Sequence, residues 1–226
     1  MSVESALRDR SGAGFELIET MRWEPATGFL RLERHLDRLR RSAGTLGFAC
    51  EPARVSEALA DAVGGASGPL RVRLALGQDG GCSVSTQPFE PLPAGNVWTL
   101  RIAETRLTSD DPLLRHKTSR RAAYLKARAE FPAEAAGEVI LLNERGELCE
   151  GTITNIFVEA GDGTLLTPAL VCGLLPGALR AELLEAGRAR EAILTPADLA
   201  RGSRIFVGNS LRGLIAAKHS PSWAAS

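Results

Sequence analysis

Lys117 stands in the stretch Arg115-His116-Lys117-Thr118-Ser119-Arg120-Arg121. An amine crowded by cations holds its own proton less firmly, and a neutral lysine can attack a carbonyl to form an imine. Two other readings of the stretch stay open, a solvated basic face and a nucleic-acid patch. The second is disfavoured by a formal net charge of +0 and a single nearby aromatic, Tyr124. Glu150 opens a second segment, Glu150-Gly151-Thr152-Ile153-Thr154-Asn155-Ile156-Phe157, in strongly β-forming company. Alternation along a strand sends Glu150, Thr152 and Thr154 one way and Gly151, Ile153 and Asn155 the other. A carboxylate there is an edge or surface group; if it is buried, it needs a cation or an N–H partner. Gly and Pro precede a helix in Cys172-Gly173-Leu174-Leu175-Pro176-Gly177-Ala178-Leu179-Arg180. Backbone N–H groups at such a start favour an anion such as phosphate, although an ordinary loop-to-helix junction reads the same way. Gly208-Asn209-Ser210 is a strand-end turn with two side chains able to hydrogen-bond.

These residues need elements to position them. Residues 1–14 are polar and predict no regular structure. Phe15–Arg22 and Phe29-Leu30 flank a turn at residues 24–28 and predict a hairpin. Leu32, Leu36, Leu39, Ala43 and Leu46 recur at helical spacing, so a helix runs from about Glu33 to Leu46 and stops at Gly47. A second helix is expected over 52–63. Strands follow over 70–76 and 82–86, joined at Gly80-Gly81, then over 98–103. Beyond Asp110-Asp111-Pro112 a helix is expected over 118–131, a strand over 138–142, and one return strand over 147–159. Helices over about 176–186 and 195–201 lead to a last strand at 205–207. The Asp-Asp-Pro joint divides the chain into an N-terminal part, 1–107, and a C-terminal part, 108–226.

The composition excludes several classes. Of 226 residues, 44% are apolar and 24% charged, the balance of an ordinary globular chain. Lys+Arg and Asp+Glu both number 27, so no overall field draws the molecule to nucleic acid or an acidic membrane. No apolar run reaches the roughly 20 residues of a membrane span, and the start lacks the order of a secretory signal. Cys50, Cys82, Cys149 and Cys172 lie far apart, with only three histidines in the chain. That suits neither a zinc site nor a disulfide framework, so no metal is expected, and reduced thiols point to the cytoplasm.

Taken in this order, the segments resemble the class IV aminotransferase family, the fold-type IV pyridoxal-phosphate enzymes. Branched-chain aminotransferases, D-amino-acid aminotransferases and 4-amino-4-deoxychorismate lyases belong to it. The likeness runs from about Phe15 to Ala217. It is most specific at Glu150-x-Thr-x-Thr-Asn155-Ile-Phe, at Thr167-Pro168 followed by Gly173-Leu-Leu-Pro-Gly177, and at His35-Leu-Asp-Arg38-Leu39. It implies an α/β (α+β) fold of two subdomains, like D-amino-acid aminotransferase, with the cofactor in the interdomain cleft, and a homodimer. It implies that Lys117 bonds covalently to pyridoxal 5'-phosphate and that Glu150 pairs with the protonated pyridine nitrogen. Arg38, the helix start Gly177-Ala178-Leu179, and the turn Asn209-Ser210 would share the phosphate. Helical spacing sets His35, Arg38 and Ser42 on one flank beside the apolar stripe.

Two departures narrow the likeness. The Tyr found five residues after the lysine in branched-chain aminotransferases is Ala122 here, and the chain's one Tyr is Tyr124. Arg121 and the run Asn209-Ser210-Leu211-Arg212-Gly213 look more like aminodeoxychorismate lyase. The resemblance therefore implies release of pyruvate from 4-amino-4-deoxychorismate to form 4-aminobenzoate, for folate. The alternative is an aminotransferase acting on branched-chain or D-amino acids. Arg115 and Arg120 are candidates for a substrate carboxylate. Free-standing members carry about one more strand pair ahead of Phe15, which leaves a non-catalytic family member as a lesser alternative.

Overall fold

Alternating side chains over residues 17–24 and 70–76 favour extended chain, because a strand sends successive side chains to opposite faces. The computed structural model describes residues 14–200 and 204–221, so most of the opening polar segment and the expected helix end at Arg201 lie outside the described residues. Strands β1 (Leu17–Glu24) and β3 (Leu70–Leu76) pair antiparallel, with Leu17 opposite Leu76 and Trp23 opposite Leu70. Strands β2 (Gly28–Phe29) and β4 (Cys82–Pro88) complete a sheet of order β2-β1-β3-β4. Helix α1 (Leu32–Leu46) packs on β1, and helix α2 (Pro52–Val63) on β4. In α1 the stripe residues Leu39, Ala43 and Leu46 are buried, and so is the polar flank His35, Arg38 and Ser42. Arg31, just before α1, is the one non-glycine described residue in the left-handed region, at φ 59°. Such a residue costs roughly 1–2 kcal/mol, a strain that clusters at functional sites.

Contacts divide the chain into two compact units, Met1–Pro91 with His116–Arg120, and Leu92–Arg115 with Arg121–Ser226. Residues 116–120 join the first unit by strand-like pairing. Ile18 donates its N–H to the Lys117 carbonyl at 2.8 Å, Ser119 donates to the Glu16 carbonyl at 2.9 Å, and Thr118 bridges Leu17 antiparallel. That pairing keeps the lysine's segment extended. The helix expected over 118–131 is consequently shorter, α3 (Ala122–Ala129).

The second unit holds an eight-stranded mixed sheet of order β10-β9-β8-β11-β12-β5-β6-β7. Its strands are β5 (Val97–Leu107), β6 (Glu138–Asn143), β7 (Leu148–Gly151), β8 (Asn155–Glu159), β9 (Leu165–Pro168), β10 (Ala189–Ala192), β11 (Ile205–Asn209) and β12 (Gly213–His219). Helix α3 packs on β5 and β6, and helix α4 (Ala178–Glu185) on β10 and β11; a short helix α5 covers Pro196–Ala200. Leu100, Ile140, Leu148, Ile156 and Val207 are fully buried in its core.

Three features depart from the sequence reading. Strand β5, grouped by sequence with the N-terminal part, runs parallel to β6 and β12 and buries Leu100, Ala103 and Leu107 in the second unit. The strand expected over 147–159 breaks into β7 and β8, and Glu150 lies on the last strand in the sheet order. The break has a cause. Fully buried Glu138 takes the N–H groups of Thr152 (3.1 Å) and Ile153 (3.1 Å) and the hydroxyls of Thr152 (2.6 Å) and Thr154 (2.8 Å), which bends the backbone away from a ladder. Finally, Ile205–Val207 is not the last strand, because β12 follows and pairs with β11 and β5. No helix among the described residues is long and apolar enough to cross a membrane.

Candidate functional site

The first unit carries Arg38 and Lys117. Glu19 of β1 shares a face with Leu17 and Met21, so a carboxylate sits on an apolar strand face, 2% exposed. A buried anion needs compensation. Arg38 supplies it with Nε to Oε1 at 2.8 Å and Nη2 to Oε2 at 2.5 Å, and His35 Nδ1 lies 2.6 Å from Oε2. Burial alone would raise the pKa of Glu19. The charge of Arg38 and the bonds from Arg38 and His35 outweigh it and hold the pKa at about 2. Arg38 is therefore a fixed cation rather than a mobile one.

The same flank of α1 reaches the lysine's segment. His116, just before Lys117, has its Nδ1 at 2.9 Å from the Ser42 hydroxyl. Burial pushes the imidazole's pKa down, which favours the neutral ring. Lys117 itself is half-buried. One helix flank thus holds Arg38 through Glu19 and the residue before Lys117 through Ser42.

The second unit brings together Glu150, Gly177-Ala178-Leu179 and Asn209-Ser210. Glu150 is buried, and its Oε1 accepts the Tyr124 hydroxyl at 2.6 Å and the Leu175 N–H at 3.1 Å. The next carbonyl contact is from the other side: Asn155 Nδ2 donates to the Leu175 carbonyl at 3.0 Å. Segment 174–177 is so pinned between the two ends of the Glu150–Asn155 motif. It leads straight into α4, whose N-cap, Gly177, makes no side-chain cap bond. The N–H groups of that first turn present a partial positive charge.

Two glycines permit this approach. A Cβ on Gly177 would lie 2.0 Å from Asn155 Oδ1, and one on Gly208 would lie 2.8 Å from Leu179 Cδ2 and 2.9 Å from the Gly213 carbonyl. Their missing side chains let β8 and β11 end against the start of α4. Ser210 is buried beside this junction. Asn209 closes its own turn, accepting from the Arg212 N–H at 3.0 Å, and donates to the Ile153 carbonyl at 3.2 Å. Arg121 donates to the neighbouring Thr152 carbonyl and lays its guanidinium over the Tyr124 ring at 4.9 Å.

The structure separates the two further arginines. Arg120 lies over the Phe15 ring at 4.8 Å. Arg115 has a buried Nη1 without a hydrogen-bond partner among the described residues. Sequence reasoning missed Glu19, Glu138 and the pairing of Tyr124 with Glu150. For Glu19 there was a signal, since strict alternation puts it on the apolar face between Leu17 and Met21. Glu138 gives none, because a charged residue opening a strand reads as surface.

The sequence profile of amino-transferase class IV matches residues 16–219. A solved structure from Mesorhizobium loti, provisionally named an amino-acid aminotransferase, is 61% identical, covers 91% of this chain and 100% of its own, and superposes with a TM-score of 0.89. The 4-amino-4-deoxychorismate lyase structure from Pseudomonas aeruginosa is 26% identical, covers 97% of this chain and 87% of its own, and gives a TM-score of 0.78. A Schizosaccharomyces pombe protein provisionally named aminodeoxychorismate lyase is 30% identical over 187 residues, 80% of each chain. The chain belongs to the class IV aminotransferase family, whose members are pyridoxal-phosphate-dependent enzymes.

Proposed function

We propose that the protein binds pyridoxal 5'-phosphate covalently through Lys117 and releases pyruvate from 4-amino-4-deoxychorismate to give 4-aminobenzoate, for folate, as a cytoplasmic homodimer. One observation carries the cofactor reading. The segment 174–179 is tied at one end to a buried carboxylate, Glu150, and at the other opens a helix without a side-chain cap. A carboxylate for a protonated ring nitrogen and free N–H groups for a phosphate are what this cofactor requires, and Lys117 and Arg38 supply the amine and a cation.

When bound, the cofactor supplies an electron sink for charge on the carbon bearing the substrate's amine. The chain's residues do the rest. Arg38, Gly177, Ala178, Leu179, Asn209 and Ser210 hold the phosphate, and Glu150 orients the ring nitrogen. Lys117 Nζ would take the proton from the amine-bearing carbon. Arg115, with its orphaned Nη1, is the better candidate of the two arginines for a substrate carboxylate.

The lyase reading is supported by Arg121, by the Asn209–Gly213 run, by Ala122 in place of a tyrosine, and by the lyase names of two relatives. The second reading, an aminotransferase for branched-chain or D-amino acids, is favoured by the name of the M. loti protein. The first test is absorbance in the visible region after incubation with the cofactor. Wild type gains a band and Lys117→Ala does not; the same band in both overturns the lysine, and no uptake by wild type favours a non-catalytic member. The second test supplies aminodeoxychorismate and, separately, branched-chain or D-amino acids with 2-oxoglutarate. Aminobenzoate is expected, and glutamate without aminobenzoate replaces the lyase with the aminotransferase.

A further inference from the structure

The chain has one tyrosine, and its hydroxyl is spent on one carboxylate. Tyr124 lies in the first turn of α3 and packs against the cluster that contains Leu141, Cys149 and Leu174. Its hydroxyl meets Glu150 Oε1 at 2.6 Å, the same oxygen that accepts the Leu175 N–H at 3.1 Å. Arg121 covers the ring at 4.9 Å and donates to the Thr152 carbonyl. A core-facing phenol needs a polar partner, but any carbonyl would satisfy it. This one selects the carboxylate assigned to the cofactor's ring nitrogen.

We propose that Tyr124 is the positioning residue of Glu150, holding its carboxylate in the orientation and the ionised state in which it pairs with the cofactor's pyridine nitrogen. The inference rests on the cofactor reading above. Donation to a carboxylate favours its charged form. Among the described residues, Arg121 and Cys149 also face the pair. Arg121 is a permanent cation, and burial pushes the Cys149 thiol so far up that it stays neutral. Burial, followed by the charge and hydrogen bond of Glu150, also raises the Tyr124 phenol well above its ordinary value, so it remains a donor throughout the working range.

The test compares wild type with Tyr124→Phe, which keeps the ring and removes the donor. Hydrogen bonds to charged groups correspond to roughly tenfold in an equilibrium constant or more. Tyr124→Phe should bind pyridoxal 5'-phosphate about tenfold more weakly at neutral pH. With the donor gone, Glu150 takes up a proton more readily, so the acid limb of cofactor binding should move toward neutral pH. A merely structural role would weaken binding equally at every pH, and that result, or unchanged affinity, overturns the proposal.

A second measurement needs no variant of Tyr124. Tyrosine labelled with carbon-13 at Cζ gives one resonance, because the chain has one Tyr. In cofactor-free protein the resonance should differ between wild type and Glu150→Gln, and in wild type it should move when the cofactor is added. No difference between the cofactor-free proteins means that the hydroxyl does not meet Glu150, and a resonance unmoved by bound cofactor means that the pair is not at the ring nitrogen; either overturns the proposal. If wild type binds no cofactor at all, the cofactor reading fails, and this one falls with it even where the cofactor-free spectra show the hydrogen bond.

Discussion

Each unit buries a carboxylate, and the two are compensated in opposite ways. Glu19 in the first unit meets a guanidinium and an imidazole, so charge answers charge. Glu138 in the second unit meets five neutral donors among the described residues, the N–H groups of Val139, Thr152 and Ile153 and the hydroxyls of Thr152 and Thr154. The first arrangement fixes a side chain, since Arg38 cannot leave without stranding two charges. The second fixes a stretch of backbone, since the carboxylate gathers consecutive donors and bends the chain between β7 and β8. One unit therefore contributes an oriented cation, and the other an oriented motif whose ends hold segment 174–177.

The comparison breaks most readily at Glu19. Replacing it with Gln leaves Arg38 buried without a counter-ion, and losing one partner of a buried pair costs about 3–5 kcal/mol. Urea unfolding at neutral pH should show that loss. The pH dependence follows in sign. Glu19 has a folded pKa of about 2 against an ordinary value of 4.5, so its contribution is complete above 4.5 and disappears as the pH falls toward 2. Wild type and Glu19→Gln should converge in stability across that window, and a constant gap would show that charge pairing is not what holds Arg38.

Glu138→Gln tests the other mode. The amide keeps the size of the side chain but turns an N–H pair toward groups that are themselves donors. Leaving buried donors unsatisfied costs about 1–3 kcal/mol each, and partial re-pairing brings the expected loss to about 2 kcal/mol. Amide exchange should quicken at Thr152 and Ile153, where the bend is held, and stay unchanged along β1. Uniform quickening over the sheet would assign Glu138 to general stability instead of to the bend.

Gly208→Ala probes the junction that this bend faces. Its Cβ would meet Leu179 and the Gly213 backbone at under 3 Å, so β11 must move from the start of α4. Overpacking of this kind costs about 1–3 kcal/mol. Cofactor affinity should fall more than stability does, as titration by absorbance would show; an unchanged affinity would mean that the 208–210 turn takes no part in phosphate binding.

Local pattern made much of this legible. The spacing of Leu32, Leu36, Leu39, Ala43 and Leu46 marks α1 to within a residue of its start, alternation marks β1 and β3, and a short apolar run marks β6. Glu150 stood out as a carboxylate in strongly β-forming company, whereas Gly177 and Asn209 read as an ordinary helix entry and turn until the family resemblance gave them roles. What stayed hidden depends on partners distant in sequence. Glu138 reaches 14 to 16 residues ahead to break a run that reads as one strand, and β5 looks like a member of whichever half it is counted with until β6 and β12 pair with it. Strand β12 is short of strong β-formers at Ala216-Ala217-Lys218 and is specified by its neighbours. The segment 118–121 is rich enough in Arg to read as helix, yet Thr118 and Ser119 pair with Leu17 and Glu16 and stay extended.

The smallest expected effect sharpens the contrast by moving a charge pair to the surface. Arg40 and Asp37 on α1 form an ion pair three residues apart, flanking Arg38 in sequence, with both side chains about half exposed. The chemistry is that of Arg38 with Glu19, but water solvates both partners whether or not they meet, and holding two long side chains in one geometry costs entropy. Such pairs contribute about 0.2–1 kcal/mol, and helical ones about 0.3–0.5. Arg40→Ala should therefore change urea stability by less than about 0.5 kcal/mol, and that small change should shrink further in 1 M salt, where screening acts within about 3 Å. Glu19→Gln measured alongside should keep most of its loss in the same salt, because a pair with 7% and 2% exposed side chains is beyond the reach of counter-ions. If Arg40→Ala matched Glu19→Gln, the cost at Glu19 would belong to helix α1 as a whole, and burial would not be what makes Arg38 a fixed cation.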